Sequence, residues 1–247
     1  MRASRIAIII TLACVAAIGG VSRAIDANGE DFAPEAAPVA VQRSQVVILG
    51  NSMTMHGPKA SLGWTGNYGM AAPSRDLDYS HLLIAALNVP ESNAYIRNVY
   101  PFETDDTGAR RAIDSVESKL AQRPDITVLE LGDNVKAWEI YPVVRFQRNF
   151  GRLAQVAGEK SKRLYCLSTY WHSRVVDFVI KRECEAAGGT YVFIGDVASD
   201  PNNPDRTSHA YANAGVNKHP QEYGMAAIAR RLQEKIGTLA VAQSTER

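Results

Sequence analysis

The stretch 46-VVILGNSMTMHGP-58 decides the fold. Val46, Val47, Ile48 and Leu49 form an unbroken apolar run with no polar alternation. Such a run suits a strand buried on both faces, as in a parallel sheet covered by helices. Gly50 and Asn51 break the run as a turn, and Ser52 is the side chain that the turn presents. Outward from this point, strand and helix patterns alternate. Ala94–Val99, Ile126–Leu131, Leu164–Leu167 and Tyr191–Ile194 read as further strands. Tyr79–Leu87 reads as a helix. Thr107 is placed to cap another, whose Ala109, Ala112, Ile113, Val116 and Leu120 fall on one face. Val143, Phe150, Leu153 and Val156 suit the next. Residues 173–187 form a helix stopped by Gly188-Gly189, and residues 221–236 the last, after a loop at 196–218. This alternation predicts a three-layer α/β/α domain on a parallel, about five-stranded sheet of flavodoxin-like type.

The chain has 247 residues, 46% apolar and 21% charged, with a net charge of +1. These values fit one globular domain and exclude a disordered chain. The near-neutral charge gives no reason to expect nucleic acid or an anionic membrane surface as partner. The N-terminus is organised differently. Arg2 and Arg5 precede an apolar run from Ile6 to Val21, and Ser22-Arg23-Ala24 supplies small residues for cleavage. That order predicts a secretory signal peptide over 1–24 and export to the periplasm or beyond. The competing reading is an uncleaved anchor, but the run is shorter than the roughly 20 residues a spanning helix needs. Thr11-Leu12-Ala13-Cys14 is a poor lipidation site. Cleavage after Ala24 leaves 24 basic against 26 acidic residues, a charge of −2. Residues 25–43 read as a flexible lead and 44–247 as the folded domain. Cys166 and Cys184 remain, either as a disulfide or as two buried thiols.

In a sheet of this kind, sites form beyond the carboxyl ends of the strands. Gly50-Asn51-Ser52, Gly132-Asp133-Asn134 and His219-Pro220 all stand at such places. Together they supply a nucleophile in Ser52, a polar donor in Asn134 and a base in His219. A serine hydroxyl attacks well only when a base takes its proton, and the developing oxyanion needs fixed donors. The Ser52 N–H and Asn134 are the candidate donors. His56 is a rival base, while His81, His172 and His209 read as structural or exposed. Trp64, Tyr68 and Trp171 are candidate cleft residues. The histidines show no close ligand spacing, so no metal site is expected, and serine–histidine chemistry implies no cofactor.

The stretches GNSMT, LELGDN and NKHPQEYGMAAIA resemble blocks I, III and V of the SGNH, or GDSL-like, hydrolases. GWTGNYGMAA and DYSHLL resemble a bacterial branch of that superfamily, and the likeness spans most of 45–237. It implies an esterase in which Ser52 is the nucleophile, His219 the base, and Ser52 N–H with Asn134 the oxyanion hole. Three positions depart from the pattern. Asn51 stands where block I carries an acid. No glycine follows the second strand in RNVYPFE, so an N–H near Tyr100, or Gly66 or Gly69, is left to complete the hole. Val216 stands where block V carries its acid. His219 is therefore expected to hold its tautomer against a backbone carbonyl, with Asp196, Asp200 and Asp205 as rival partners. The expected substrate is a small-molecule or glycan ester, such as an acetylated carbohydrate. Two alternatives share the residues or the fold: an O-acyltransferase acting on a glycan, and a non-catalytic carbohydrate-binding protein.

Overall fold

The computed structural model describes residues 45–245, with side chains described through 237. The expected signal peptide, the lead and the cysteine at position 14 lie outside the described residues. The elements run β1 (Val46–Gly50), α1 (Tyr79–Ala86), β2 (Ala94–Asn98), α2 (Pro101–Thr104), α3 (Asp106–Leu120), β3 (Ile126–Glu130), α4 (Ile140–Lys160), β4 (Leu164–Leu167), α5 (Arg174–Ala186), β5 (Thr190–Val192), α6 (Ala214–Asn217) and α7 (Glu222–Thr245). Among the described residues the five strands form one sheet in the order β2-β1-β3-β4-β5, every neighbouring pair parallel. This is the three-layer α/β/α architecture that the apolar runs predict.

The unbroken runs arise because the inner strands feed two cores at once. Val46 and Ile48 point to one side, packing with Tyr79, Leu83, Met225, Ile228 and Leu232 from α1 and α7. Val47 and Leu49 point to the other, packing with Ile113, Val116, Phe150, Leu153 and Ile180 from α3, α4 and α5. All five residues of β1 and of β3 are buried. Each large aliphatic side chain so placed contributes about 1.5–3 kcal/mol of transfer free energy. β2, at the sheet edge, is only half-buried.

Two local details differ from the sequence reading. Asp105, not Thr107, caps α3, its carboxylate accepting from the N–H groups of Thr107 and Gly108. A carboxylate at this position also faces the positive end of the helix, an advantage that a hydroxyl lacks. The short helix α2 precedes it, with Pro101 at its first position, where the missing N–H costs nothing.

Cys166 on β4 and Cys184 on α5 are joined in a disulfide, 18 residues apart in sequence. Both lie in the core between the sheet and α5, so the buried-thiol position and the bridge coincide. A loop of that size restricts the unfolded chain by about 3 kcal/mol. Replacing both cysteines by alanine is therefore expected to lower unfolding free energy in urea by about that amount. Denatured, unreduced wild-type protein that labels at both cysteines with a maleimide would show that the bridge does not form.

Candidate active site

The order of strands reverses between β1 and β3: the chain adds β2 on one side of β1, then β3 on the other. The crevice beyond that junction is where open α/β sheets bind ligands. Ser52 leaves the end of β1 and Asn134 the end of β3. Gly50 is paired in register with Glu130, whose side chain leans across the turn. A Cβ at Gly50 would sit 2.6 Å from Glu130 Oε2, so only glycine lets the carboxyl lie there. Gly132 adopts φ +131°, and a Cβ on it would meet Thr169 and Val176 at 2.9 Å. That residue turns the chain from β3 toward Asn134.

His219, just before α7, meets Ser52: Nε2 lies 2.9 Å from Ser52 Oγ. On the other side of the ring, Nδ1 lies 2.9 Å from the carbonyl oxygen of Gly215 in α6. A carbonyl only accepts, so Nδ1 carries the proton and Nε2 is free to take one from the serine. Burial holds the imidazole below its ordinary pKa, opposed by its contact with the Gly215 carbonyl. The rival acids are engaged elsewhere. Asp205 accepts from the N–H groups of Gln221 and Gly224, Asp200 from the Tyr223 hydroxyl, and Asp196 pairs with Arg231. Val216 packs with Trp64, Met70 and Ala71. His56 lines the same hollow, but its ring turns to the Gly57 carbonyl at 2.6 Å.

The two expected oxyanion donors, Ser52 and Asn134, line the same hollow. The Ser52 N–H has no acceptor among the described residues. Asn134 Nδ2 spends one hydrogen on Glu103 Oε2 at 2.7 Å, which aims the amide and leaves its second hydrogen. The other expected donors are committed: Tyr100 N–H to Asn98 Oδ1, and Gly69 N–H to Asp78 Oδ2. Gly66 is buried against Trp64 and Tyr68, and Pro101 has no N–H. Of the expected donors that line the hollow, Ser52 N–H and the second Asn134 Nδ2 hydrogen are the ones left without an acceptor among the described residues.

Two buried carboxyls shape this side of the site, and sequence reading missed both. Glu103 Oε1 accepts from Gly132 N–H and from Asn51 Nδ2, while its Oε2 takes Asn134. Burial raises its pKa and those donors pull it back. Glu130 Oε2 accepts from Asn51 N–H and from Thr54 Oγ1, which takes a hydrogen bond from the Tyr79 hydroxyl. Its Oε1 has no partner among the described residues, and burial pushes its pKa well up. Burial and the nearby charge of Glu103 lift Asp133 to about 7. The signals were present: an acid closing the buried run of β3, and an acid inside the first turn after Pro101.

The site opens into a hollow of about 460 Å³ that includes Ser52, Leu62, Met70, Asn134, Val216 and His219. A larger hollow of about 680 Å³ between α4 and α5 contains no serine, cysteine or histidine in its lining. The candidate cleft aromatics divide. Trp64 is 3% exposed, its indole N–H donating to the His56 carbonyl. It is core beneath α6 rather than cleft, because burial of a ring that size outweighs any contact at the surface. Tyr68 packs edge-on against it and lines neither hollow. Trp171 does reach the site, its ring edge-on to His219 at 5.4 Å. His81 pairs with Asp78 and His172 with Asp177. Among the described residues, no group of three His, Cys, Asp or Glu side chains is placed to hold a metal ion.

No family model matches the sequence, and no curated protein does. Solved structures do. The fold is similar to that of a family two carbohydrate esterase from Clostridium thermocellum in complex with cellohexaose (TM-score 0.53, 15% identity, 86% of this chain and 68% of that one). It is similar also to a catalytic mutant of an acetylxylan esterase from Geobacillus stearothermophilus (TM-score 0.51, 16% identity, 78% and 94%). A third, from Bacteroides uniformis, is described as a GDSL-like lipase (TM-score 0.51, 15% identity, 80% and 97%). The chain has the SGNH, or GDSL-like, hydrolase fold.

The carboxyl of Glu103 explains the asparagine at position 51. Asn51 Nδ2 donates to Glu103 Oε1 at 3.2 Å, so an aspartate there would set two buried acids face to face. Asn51→Asp is expected to cost about 3 kcal/mol of stability at pH 8, the range for an uncompensated buried charge. A paired acid in this position has its pKa raised in the folded state only. The deficit should therefore shrink as pH falls to 5, where the pair shares a proton. Equal deficits at both pH values, read from urea unfolding, would contradict this account.

Proposed function

We propose that the protein is an exported serine esterase acting on an ester of a carbohydrate, with an acetyl ester as the first candidate. The observation that carries this reading is the line Ser52 Oγ–His219 Nε2, His219 Nδ1–Gly215 O, both contacts at 2.9 Å. A hydroxyl held against a neutral, oriented imidazole is the arrangement a serine nucleophile needs. It favours catalysis over a purely binding role for the scaffold. In the first step Ser52 Oγ bonds to the acyl carbon and its proton passes to Nε2. The carbonyl oxygen becomes an oxyanion beside Ser52 N–H and Asn134 Nδ2. Collapse breaks the bond to the alcohol, which leaves with the proton from Nε2. Water then repeats the sequence on the acyl-enzyme. Leu62, Met70 and Val216 give the hollow an apolar side suited to a short acyl group. Two of the similar folds belong to esterases of carbohydrates, which supports the substrate class. The disulfide and the charged, apolar, small-residue order of residues 1–24 support export.

Ser52→Ala is expected to abolish turnover of p-nitrophenyl acetate and labelling by a fluorophosphonate, with the folded state retained. Undiminished turnover would remove the assignment. Asp196→Ala, Asp200→Ala and Asp205→Ala should each cost less than about tenfold in kcat, because the imidazole leans on a carbonyl. A fall near 10⁴ for any of them, the loss on replacing a triad acid, would identify a displaced partner.

The pH profile gives an independent check. The base must be neutral to act, and burial lowers the pKa of His219 from 6.5. Less acid is needed to switch off an ordinary histidine than this one, so activity should persist into mildly acidic solution. The acid limb of kcat/KM, which reports the free enzyme, is expected to have its midpoint below 6.5. A midpoint above that value would mean that a carboxylate stabilises the imidazolium after all.

A further inference from the structure

Next to the hollow that holds Ser52, a second one of about 570 Å³ is also lined by His219. The two share His219. Their linings differ in chemistry. The first has its apolar side at Leu62, Met70 and Val216. The second is walled by Trp171 and carries Arg206, His209 and Lys218. Among the described residues neither Arg206 nor Lys218 has a carboxylate partner; Arg206 Nη1 reaches only the Asp200 carbonyl, at 3.3 Å. The acid in this lining, Asp205, is already held: its Oδ2 accepts from Gln221 and Gly224 N–H at the start of α7, at 2.9 and 2.8 Å. Those two N–H groups and the positive end of the helix offset its charge. The hollow therefore presents free cations beside an aromatic wall. The whole chain is near neutral, so this is a local arrangement rather than a general basic surface.

The reaction gives the second hollow a role. A leaving alcohol takes its proton from His219 Nε2, so the alcohol side of the ester lies against the imidazole. The second hollow is lined by the same imidazole, so it is within reach of a sugar chain that continues past that ring. We propose that this hollow binds an anionic part of the substrate's alcohol side, the carboxylate of a uronate unit in or next to the acylated sugar. The proposal rests on the esterase reading and narrows its substrate class to acylated acidic glycans. Trp171 offers a face to a sugar ring, and Arg206 and Lys218 offer charge to its carboxylate.

The test compares O-acetylated trigalacturonate with the same oligosaccharide methyl-esterified at its carboxyls, which removes the charge and keeps the acetyl ester. Acetate release is followed for both, with p-nitrophenyl acetate as a separate substrate. Two exposed charge contacts predict at most about a tenfold higher kcat/KM for the charged form. That ratio should fall toward unity in the Arg206→Gln, Lys218→Gln double variant, and also in 0.5 M NaCl for the unaltered protein, as screening requires. Equal kcat/KM for the two forms, or a ratio that survives the double substitution, would overturn the proposal. If p-nitrophenyl acetate and both glycans go uncleaved, the esterase reading fails by itself. Calorimetry of Ser52→Ala with trigalacturonate then decides the binding claim. Binding that the double substitution weakens about tenfold upholds it, and absence of binding or indifference to the substitution refutes it.

Discussion

The site is organised around a carboxyl group with no access to water. Glu103 is fully buried and holds three groups in two parts of the chain: Asn51 in the turn after β1, and Gly132 and Asn134 in the turn after β3. Each of those groups donates, so the carboxylate form of Glu103 is the one that satisfies them. Placing an acid there costs desolvation, and the surrounding donors offset it. The result is that the two strand ends are locked to one another through a single side chain. The asparagine that departs from the block I pattern suits this arrangement, since its amide donates to the Glu103 carboxyl where an acid would repel it.

The other constraint is steric. Glu130 lies over Gly50, and Gly132 turns the chain under Thr169 and Val176. These contacts leave no room for a Cβ at either glycine. They bring backbone, carboxyl and hydroxyl groups within hydrogen-bond reach, so that Tyr79, Thr54 and Glu130 form one chain beneath the turn that carries Ser52. Core packing on both faces of β1 and β3 supplies the stability that such an acid-rich centre draws on.

Much of this was legible in the sequence, and the reasons are physical. β1 and β3 are buried on both faces, so they appear as unbroken apolar runs. Helix α3 buries one stripe, so it appears as a repeat of Ala109, Ile113, Val116 and Leu120. Ser52 and His219 stand out because they follow or precede such segments at the sheet's carboxyl edge. What escaped notice was set by contacts across the fold. The partner of Glu103 at Asn51 is 52 residues away, and nothing local marks an acid as buried. Trp64 looked like a cleft residue because a composition of Gly, Tyr and Trp suits both surfaces and cores. Only its packing under Val216 and Tyr211 separates the two. Thr107 lost the capping position to Asp105 because a carboxylate two residues earlier serves two N–H groups at once.

The Gly215 carbonyl that orients His219 belongs to the main chain, and every residue has a main chain. No side-chain replacement at that position deletes the oxygen. A scan that changes residues one at a time to alanine would thus count fewer working parts than the chemistry uses. Sensitivity is displaced onto the geometry of the segment: Asn213, whose side chain holds the Gly215 and Val216 N–H groups, and the spacing from that cap to the imidazole. Insertion or deletion between them would move the oxygen where substitution cannot. Apart from the Asn213 side chain, the geometry constrains the length of this segment more than its side chains.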